Sequence, residues 1–212
     1  MNHTDVIKYL DTITPNQPDW VYQLEEEAEQ NHVPIMDKQG IAFIQQLIRL
    51  HQPTKILEIG TAIGYSALRM LEAKSDAQIV SIERNQEMYD RAVKNIQVQN
   101  QKEHIDVIFG DALEVDEKVA AKGPFQMIFI DAAKGQYRHF FEKYEQTLAD
   151  KGMIVTDNVL FKGWVVSPEE APKRLQKLAN KIDQYNQWLL QHPAYHTTIL
   201  PVGDGVAISV KK

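Results

Sequence analysis

From residue 53 onward the chain alternates short, dense apolar runs with longer stretches in which apolar side chains recur every three to four positions. The runs are "KILEI" (55–59), "AQIVSI" (77–82), "IDVIF" (105–109), "FQMIFI" (125–130) and "GMIVT" (152–156). Runs of this length with little polar alternation suit strands buried on both faces, and the amphipathic stretches between them suit crossover helices. Residues 172–191 place Leu175, Leu178, Ile182, Tyr185 and Leu189 at three-four spacing, a helix that lays one seam on the sheet. The end, "HTTILPVGDGVAISV", holds two β runs around Gly203, Asp204 and Gly205, the spacing of a hairpin. The fold expected is α/β: a doubly wound, Rossmann-like sheet with helices on both faces and an antiparallel C-terminal hairpin strand.

Before residue 53 the periodicity is helical. Segments near residues 5–10 and 19–30 read as helices, and Asp37 can cap a third one reaching residue 50 with Ile41, Ile44, Leu47 and Ile48 on one face. The acidic run at 25–29 reads as a solvated helix face, or else as a partner contact. No repeat or low-complexity stretch interrupts the chain. A single domain over 1–212 is expected, with N-terminal helices over 1–52 and the sheet core over 53–212.

Composition narrows the chemistry. A chain of 212 residues can bury a core without staples, and it has no cysteine. That excludes disulfides, thiolate metal sites and cysteine nucleophiles, and with them pyrimidine C5-methylation through a cysteine adduct. The first residues lack a basic segment followed by an apolar core, and no apolar run approaches the ~20 residues that cross a bilayer. A cytoplasmic protein without a membrane span is expected. The net charge of −6 opposes broad, unspecific nucleic-acid binding but leaves room for a local basic patch.

The stretch "KILEIGTAIGYSALRM" ends the first strand at Gly60 and starts a helix near Gly64. A ligand is therefore expected over the strand's carboxyl end, at the helix N-terminus. A dinucleotide fold would present G-x-G-x-x-G, whereas Gly60 and Gly64 are four apart. Glu58, two residues before the first glycine, is unwelcome to a pyrophosphate and suits a cation. S-adenosylmethionine is such a ligand, with a positive sulfonium and a positive ammonium. Glu83 closes the second strand, where a carboxylate can accept both ribose hydroxyls. An ordinary glycine turn remains the alternative. Asp111, with Ala112 beside it, can reach the adenine amino group, or cap the helix that follows, or do both.

The fourth strand ends in "FIDAAKGQY" and the fifth in "IVTDNVLFKGW". Asp131, Asp157 and Asn158 offer hard oxygen ligands, incomplete for an octahedral ion unless water or substrate fills the rest. With no histidine or cysteine among them, Mg2+ or Mn2+ is favoured over zinc. Lys134 follows three residues after Asp131, close to an oxygen held there, as a base. The competing reading makes the two aspartates strand-end loop caps. His192 and His196 have metal-pair spacing, but Pro193 breaks the helix that they would need. Phe161 and Trp164 wall a substrate pocket or pack a loop. Lys173, Arg174, Lys177 and Lys181 form a basic stripe opposite the apolar seam, a solvated face or an RNA backbone contact.

"LEIGTAIGYSALRM", "SIERN", "IDAAKGQY", "TDNVLFKG" and "LPVGDGVAIS" together resemble the metal-dependent class I O-methyltransferases, the catechol and caffeoyl-CoA type, from about residue 33 to the end. The resemblance implies S-adenosylmethionine and Mg2+ as cofactors, with Asp131, Asp157 and Asn158 as metal ligands and Lys134 as base. It adds Ser66 and Met36 to Glu83, Asp111 and Asp131 as cofactor contacts, and implies a homodimer. Within the family the chain is similar to short bacterial members that methylate 5-hydroxyuridine in the tRNA anticodon loop, which implies tRNA as partner. A small catechol-like or caffeoyl-type phenol is the alternative acceptor. Both acceptors offer two neighbouring oxygens. The acidic substrate residue of catechol enzymes has only Asp204 as a loose counterpart. An NAD-dependent oxidoreductase and a non-catalytic cofactor-binding module remain as readings of other classes.

Overall fold

The computed structural model describes residues 3–212, with side chains from Asp5 onward. Two compact units divide between Val33 and Pro34. The first holds helices α1 (His3–Ile13) and α2 (Asp19–Gln30). Val21, Leu24 and Ala28 form the buried seam of α2. The acidic run lies on the same helix: Glu26 and Glu29 are exposed, whereas Glu25 and Glu27 are half-buried.

The second unit begins before the boundary expected at residue 53, because α3 (Lys38–His51) belongs to it. Asp37 caps α3 by accepting from the Gly40 N–H at 2.8 Å. Ile41, Ile44 and Ile48 are its buried face, with Leu47 at the margin. Gln45 fastens α3 to α4 (Tyr65–Ala73): its amide donates to the Arg69 carbonyl at 2.8 Å and accepts from the Arg69 guanidinium at 3.1 Å.

The sheet has seven strands in the order β3-β2-β1-β4-β5-β7-β6. β1 (Lys55–Ile59), β2 (Gln78–Glu83), β3 (Ile105–Phe109), β4 (Phe125–Ile130) and β5 (Leu148–Thr156) are parallel. The central β1 and β4 are buried almost throughout, which is why their sequences lack alternation. α5 (Gln86–Val98), α6 (Asp116–Ala120), α7 (Tyr137–Tyr144) and α8 (Lys173–Leu190) complete the crossovers. The strand order reverses between β1 and β4, so right-handed connections send helices to opposite faces and open a crevice above that point.

The hairpin joins in a way that the sequence pattern left undecided. β7 (Val206–Lys211) enters between β5 and β6 (Tyr195–Leu200), antiparallel to both, and β6 takes the edge. Burial explains the choice: Val206, Ala207 and Ser209 are buried, whereas His196 and Thr198 of β6 are exposed. Among the described residues, no helix is long and apolar enough to cross a membrane.

Candidate active site

A cleft of about 290 Å³ opens over the carboxyl ends of the parallel strands. β1 brings Gly60 to it. Gly60 has φ +105°, and a Cβ there would stand 1.9 Å from the Asp131 carbonyl oxygen, so β1 and β4 close on each other only through a glycine. Gly64, at φ +85°, precedes α4, and Ser66 on the first turn of that helix lines the cleft.

β2 brings Glu83. Its Oε2 accepts from the Ala62 N–H at 2.9 Å and its Oε1 from the Asn85 N–H at 2.8 Å, so the carboxylate is oriented before any ligand arrives. β3 brings Asp111 and Ala112. Asp111 caps a turn rather than a helix, accepting from the Leu113 N–H at 2.9 Å, and its other oxygen faces Arg84 at 3.7 Å. Met36, on the segment before α3, lines the same cleft and is buried.

Glu58 stands elsewhere. It is fully buried and does not line the cleft. Ser66 donates to its Oε1 at 2.5 Å, and Ser81 donates to its Oε2. Its place is under the turn, one layer behind the cavity wall, and not against a bound cation.

β4 and β5 bring the candidate chemistry to one rim. Asp131, Lys134, Asp157 and Asn158 all line the cleft. Lys134 donates to Asn158 Oδ1, and the Asn158 amide donates to Asp157 Oδ2 at 3.0 Å. Asn158 has φ +56°, a conformation that asparagine tolerates better than most residues and that strained functional turns often use. The Tyr137 hydroxyl donates to the Asp157 carbonyl at 2.9 Å and pins the turn from below. Burial raises the Asp157 carboxyl above its ordinary value, and neighbouring Asp131 adds to the rise. Burial also raises Asp131, with Lys134 opposing.

Among the described residues, no three His, Cys, Asp or Glu side chains converge as a metal cluster. The candidate set is instead two carboxylates and one amide oxygen, so it lies outside that pattern. Two crowded carboxylates with a single neighbouring ammonium lack positive charge, and hard oxygen donors suit a hard divalent cation. The residues present fit such an ion, provided that Lys134 releases Asn158.

Several side chains do not join the cleft. Phe161 and Trp164 stack edge-to-face at 5.0 Å and pack with Ala179 and Ile182 of α8, anchoring a loop. Asp204 accepts from the Lys162 N–H and braces the same loop. His192 lies among Phe141, Trp188 and Tyr195, and His196 sits on β6. Conversely, Ala62, Tyr65, Arg84 and Phe140 line the cleft without having been singled out from sequence. Tyr65 lies inside the glycine-turn motif, and Arg84 directly follows Glu83, so adjacency was the available signal. Phe140 sits on α7 and had none.

The O-methyltransferase family pattern matches residues 12–212, nearly the whole chain. The chain belongs to the O-methyltransferase family. Its enzyme class is therefore O-methyl transfer. Caffeoyl-CoA O-methyltransferase 2 of Zea mays is 32% identical over 215 residues, spanning 96% of this chain and 81% of the relative. Caffeoyl-CoA O-methyltransferase 1 of Arabidopsis thaliana is 29% identical, spanning 96% and 83%. Among solved structures, a Staphylococcus aureus protein provisionally described as a caffeoyl-CoA O-methyltransferase is 37% identical, with a TM-score of 0.89 over 99% of this chain and 98% of its own. A Bacillus cereus O-methyltransferase solved in complex with SAH is 24% identical and shares the fold, with a TM-score of 0.85 over 98% and 97%. For this O-methyltransferase the oxidoreductase reading falls away, since neither glycine spacing nor family supports it.

Proposed function

We propose that this O-methyltransferase moves a methyl group from S-adenosylmethionine to one of two neighbouring oxygens on its acceptor, with a divalent cation held by Asp131, Asp157 and Asn158. The observation that carries the reading is the meeting, in one cleft, of a pre-oriented ribose-type carboxylate at Glu83 with the Asp131, Lys134, Asp157 and Asn158 rim. Glu83 accepts the ribose hydroxyls, Asp111 the adenine amino group, and Met36 covers the methionine tail. Asp131 faces the cationic part of the ligand. A bound Mg2+ or Mn2+ supplies charge that orients an acceptor hydroxyl and lowers its pKa. Lys134, in its unprotonated form, takes that hydroxyl's proton. The methyl group would pass to the acceptor oxygen with its former bonding pair left on sulfur, and the cleft residues would hold donor and acceptor together.

The acceptor favoured by the relatives' names is a catechol-like or caffeoyl-type phenol. One observation favours a second reading, 5-hydroxyuridine in the tRNA anticodon loop, whose 5-hydroxyl stands beside its O4 carbonyl. Lys173, Arg174, Lys177 and Lys181 are all exposed on α8. That helix adjoins the Lys134 turn, since Leu178 lies 3.7 Å from a Cβ built on Gly135. The stripe lies on the exposed side of that helix, away from the Leu178 seam, where it would meet phosphates locally despite the net charge of −6.

The test supplies the purified enzyme with S-adenosylmethionine and either a catechol or tRNA bearing 5-hydroxyuridine, each with Mg2+ and with excess EDTA. Metal-dependent methylation of either acceptor is expected, and the better kcat/KM identifies the acceptor class. Full turnover in EDTA would refute the metal, and no turnover with any vicinal dioxygen would refute the acceptor chemistry. The homodimer belongs to the same reading and is checked by sedimentation.

A further inference from the structure

Glu58 is fully buried, and the partners that hold it are hydroxyls. Ser66 donates to one of its oxygens at 2.5 Å and Ser81 to the other, while Thr61 Oγ1 lies 2.5 Å from Ser81 Oγ. Each hydroxyl carries one proton, and an ionised carboxylate can only accept. With Glu58 ionised, the Ser66 and Ser81 protons both point inward, and Thr61 completes the line by donating to Ser81. Ser66 and Thr61 both line the cleft, and of the two it is Ser66 that is hydrogen-bonded directly to Glu58. In that state Ser66 shows the cleft lone pairs alone.

Ser66 stands on the first turn of α4, and Gly64 before it provides no side-chain cap. An uncapped helix N-terminus favours an anion, here the carboxylate of the cofactor's amino-acid end. A hydroxyl that offers only lone pairs opposes that carboxylate. If Glu58 binds a proton, its own O–H donates to Ser66 Oγ, and the Ser66 hydroxyl is free to turn into the cleft as a donor. We infer that Glu58 is a positioning residue whose protonation turns Ser66 from acceptor to donor, so that binding of the cofactor's carboxylate draws one proton onto Glu58. The inference rests on the reading that the cleft holds S-adenosylmethionine.

The site is poised for this. Burial lifts the Glu58 carboxyl to about 7, against the lowering by Ser66 and Ser81, and Asp131 at the end of β4 and Glu83 at the end of β2 push it further up. The sign follows directly. Below about pH 7 the free protein already carries the proton and affinity is flat. Above it the proton must be taken up, and affinity falls by up to about tenfold per pH unit.

The experiment is calorimetric titration of the enzyme with S-adenosylhomocysteine in EDTA, from about pH 6 to about pH 9, in two buffers of different ionisation enthalpy. Uptake is expected to rise from near zero at the acid end towards one proton at the alkaline end. Glu58→Gln supplies a permanent N–H in place of the acid proton and should keep the low-pH affinity while losing the slope. Ser66→Ala should bind more weakly at low pH and also without slope. A merely structural role would weaken binding by the same factor at every pH. Binding by the parent enzyme without proton uptake at alkaline pH overturns this inference alone, as does Glu58→Gln with the parent's slope. No binding at any pH overturns the cofactor reading and the inference with it.

Discussion

Substituting Gly60 by alanine isolates the contact that joins the glycine turn to the candidate metal rim. The added Cβ would stand 1.9 Å from the Asp131 carbonyl oxygen and 2.8 Å from its carbon, both of them backbone atoms. Atoms of that kind cannot swing aside as a side chain would, so the carbonyl must retreat by more than an ångström. The Asp131 N–H is bonded to the Ile59 carbonyl at 3.0 Å, and the retreat therefore loosens the β1–β4 pairing at the ligand end. Forcing a residue with a Cβ into the left-handed region costs about 1–2 kcal/mol. Displacing packed backbone adds about 1–3 kcal/mol. In a domain of this size that sum lowers Tm by roughly 4–20 °C. Gly163 supplies the control: it has φ +79° but no atom within 4 Å of its built Cβ. Gly163→Ala should show the backbone strain alone, a drop of roughly 2–8 °C. The lower entropy of the unfolded chain helps both variants equally, so it leaves the comparison intact. Thermal unfolding followed by circular dichroism measures both, and titration with S-adenosylhomocysteine should show lost affinity for Gly60→Ala. Equal losses of Tm in the two variants would refute the crowding argument.

Further outcomes follow from the same geometry. Asp157→Asn should abolish turnover while S-adenosylhomocysteine still binds within a few-fold of the parent, and a parent-like rate would remove Asp157 from the metal set. Glu83→Ala should weaken cofactor binding by about 2 kcal/mol and, because the Ala62 and Asn85 N–H groups lose their acceptor, should also lower stability by about 1 kcal/mol; an unchanged Kd would reduce the residue to a turn brace. Lys177→Glu with Lys181→Glu should raise KM for tRNA and flatten its salt dependence without changing turnover of a free catechol. Equal tRNA methylation by parent and double variant at several salt concentrations would leave the stripe a solvated face.

Much of the architecture was readable because its signals are local. β1 and β4 are buried on both faces, so their side chains are apolar in succession, and a run of five or six such residues marks a strand without knowledge of its neighbours. Asp37 and the three-four rhythm of α3 and α8 are likewise complete within one segment. The order of the hairpin strands was not, because it depends on which strand buries both faces against β5. The attachment of α3 to α4 includes Gln45 meeting Arg69 across two helices, a pairing that no spacing encodes. Phe140 reaches the cleft from a helix whose register on the sheet is tertiary information.

The site divides along the same line. Residues at strand ends, such as Glu83, Asp131 and Asp157, are readable because an α/β sheet sends every carboxyl end to one rim, so their position in sequence already fixes their position in space. Glu58 shows the limit of that inference. It lies two residues before Gly60, and strand alternation alone would let it face the ligand or the layer beneath. What decides is Ser81 on the neighbouring strand, paired in register with Glu58 and donating to it, together with Ser66 on the next helix. The charge thought to await a cation from the cleft is held instead by hydroxyl protons behind the wall. Its effect on the ligand then travels through the hydroxyl that it shares with the cleft, so what Glu58 controls is the direction of the Ser66 proton and not a direct ionic contact.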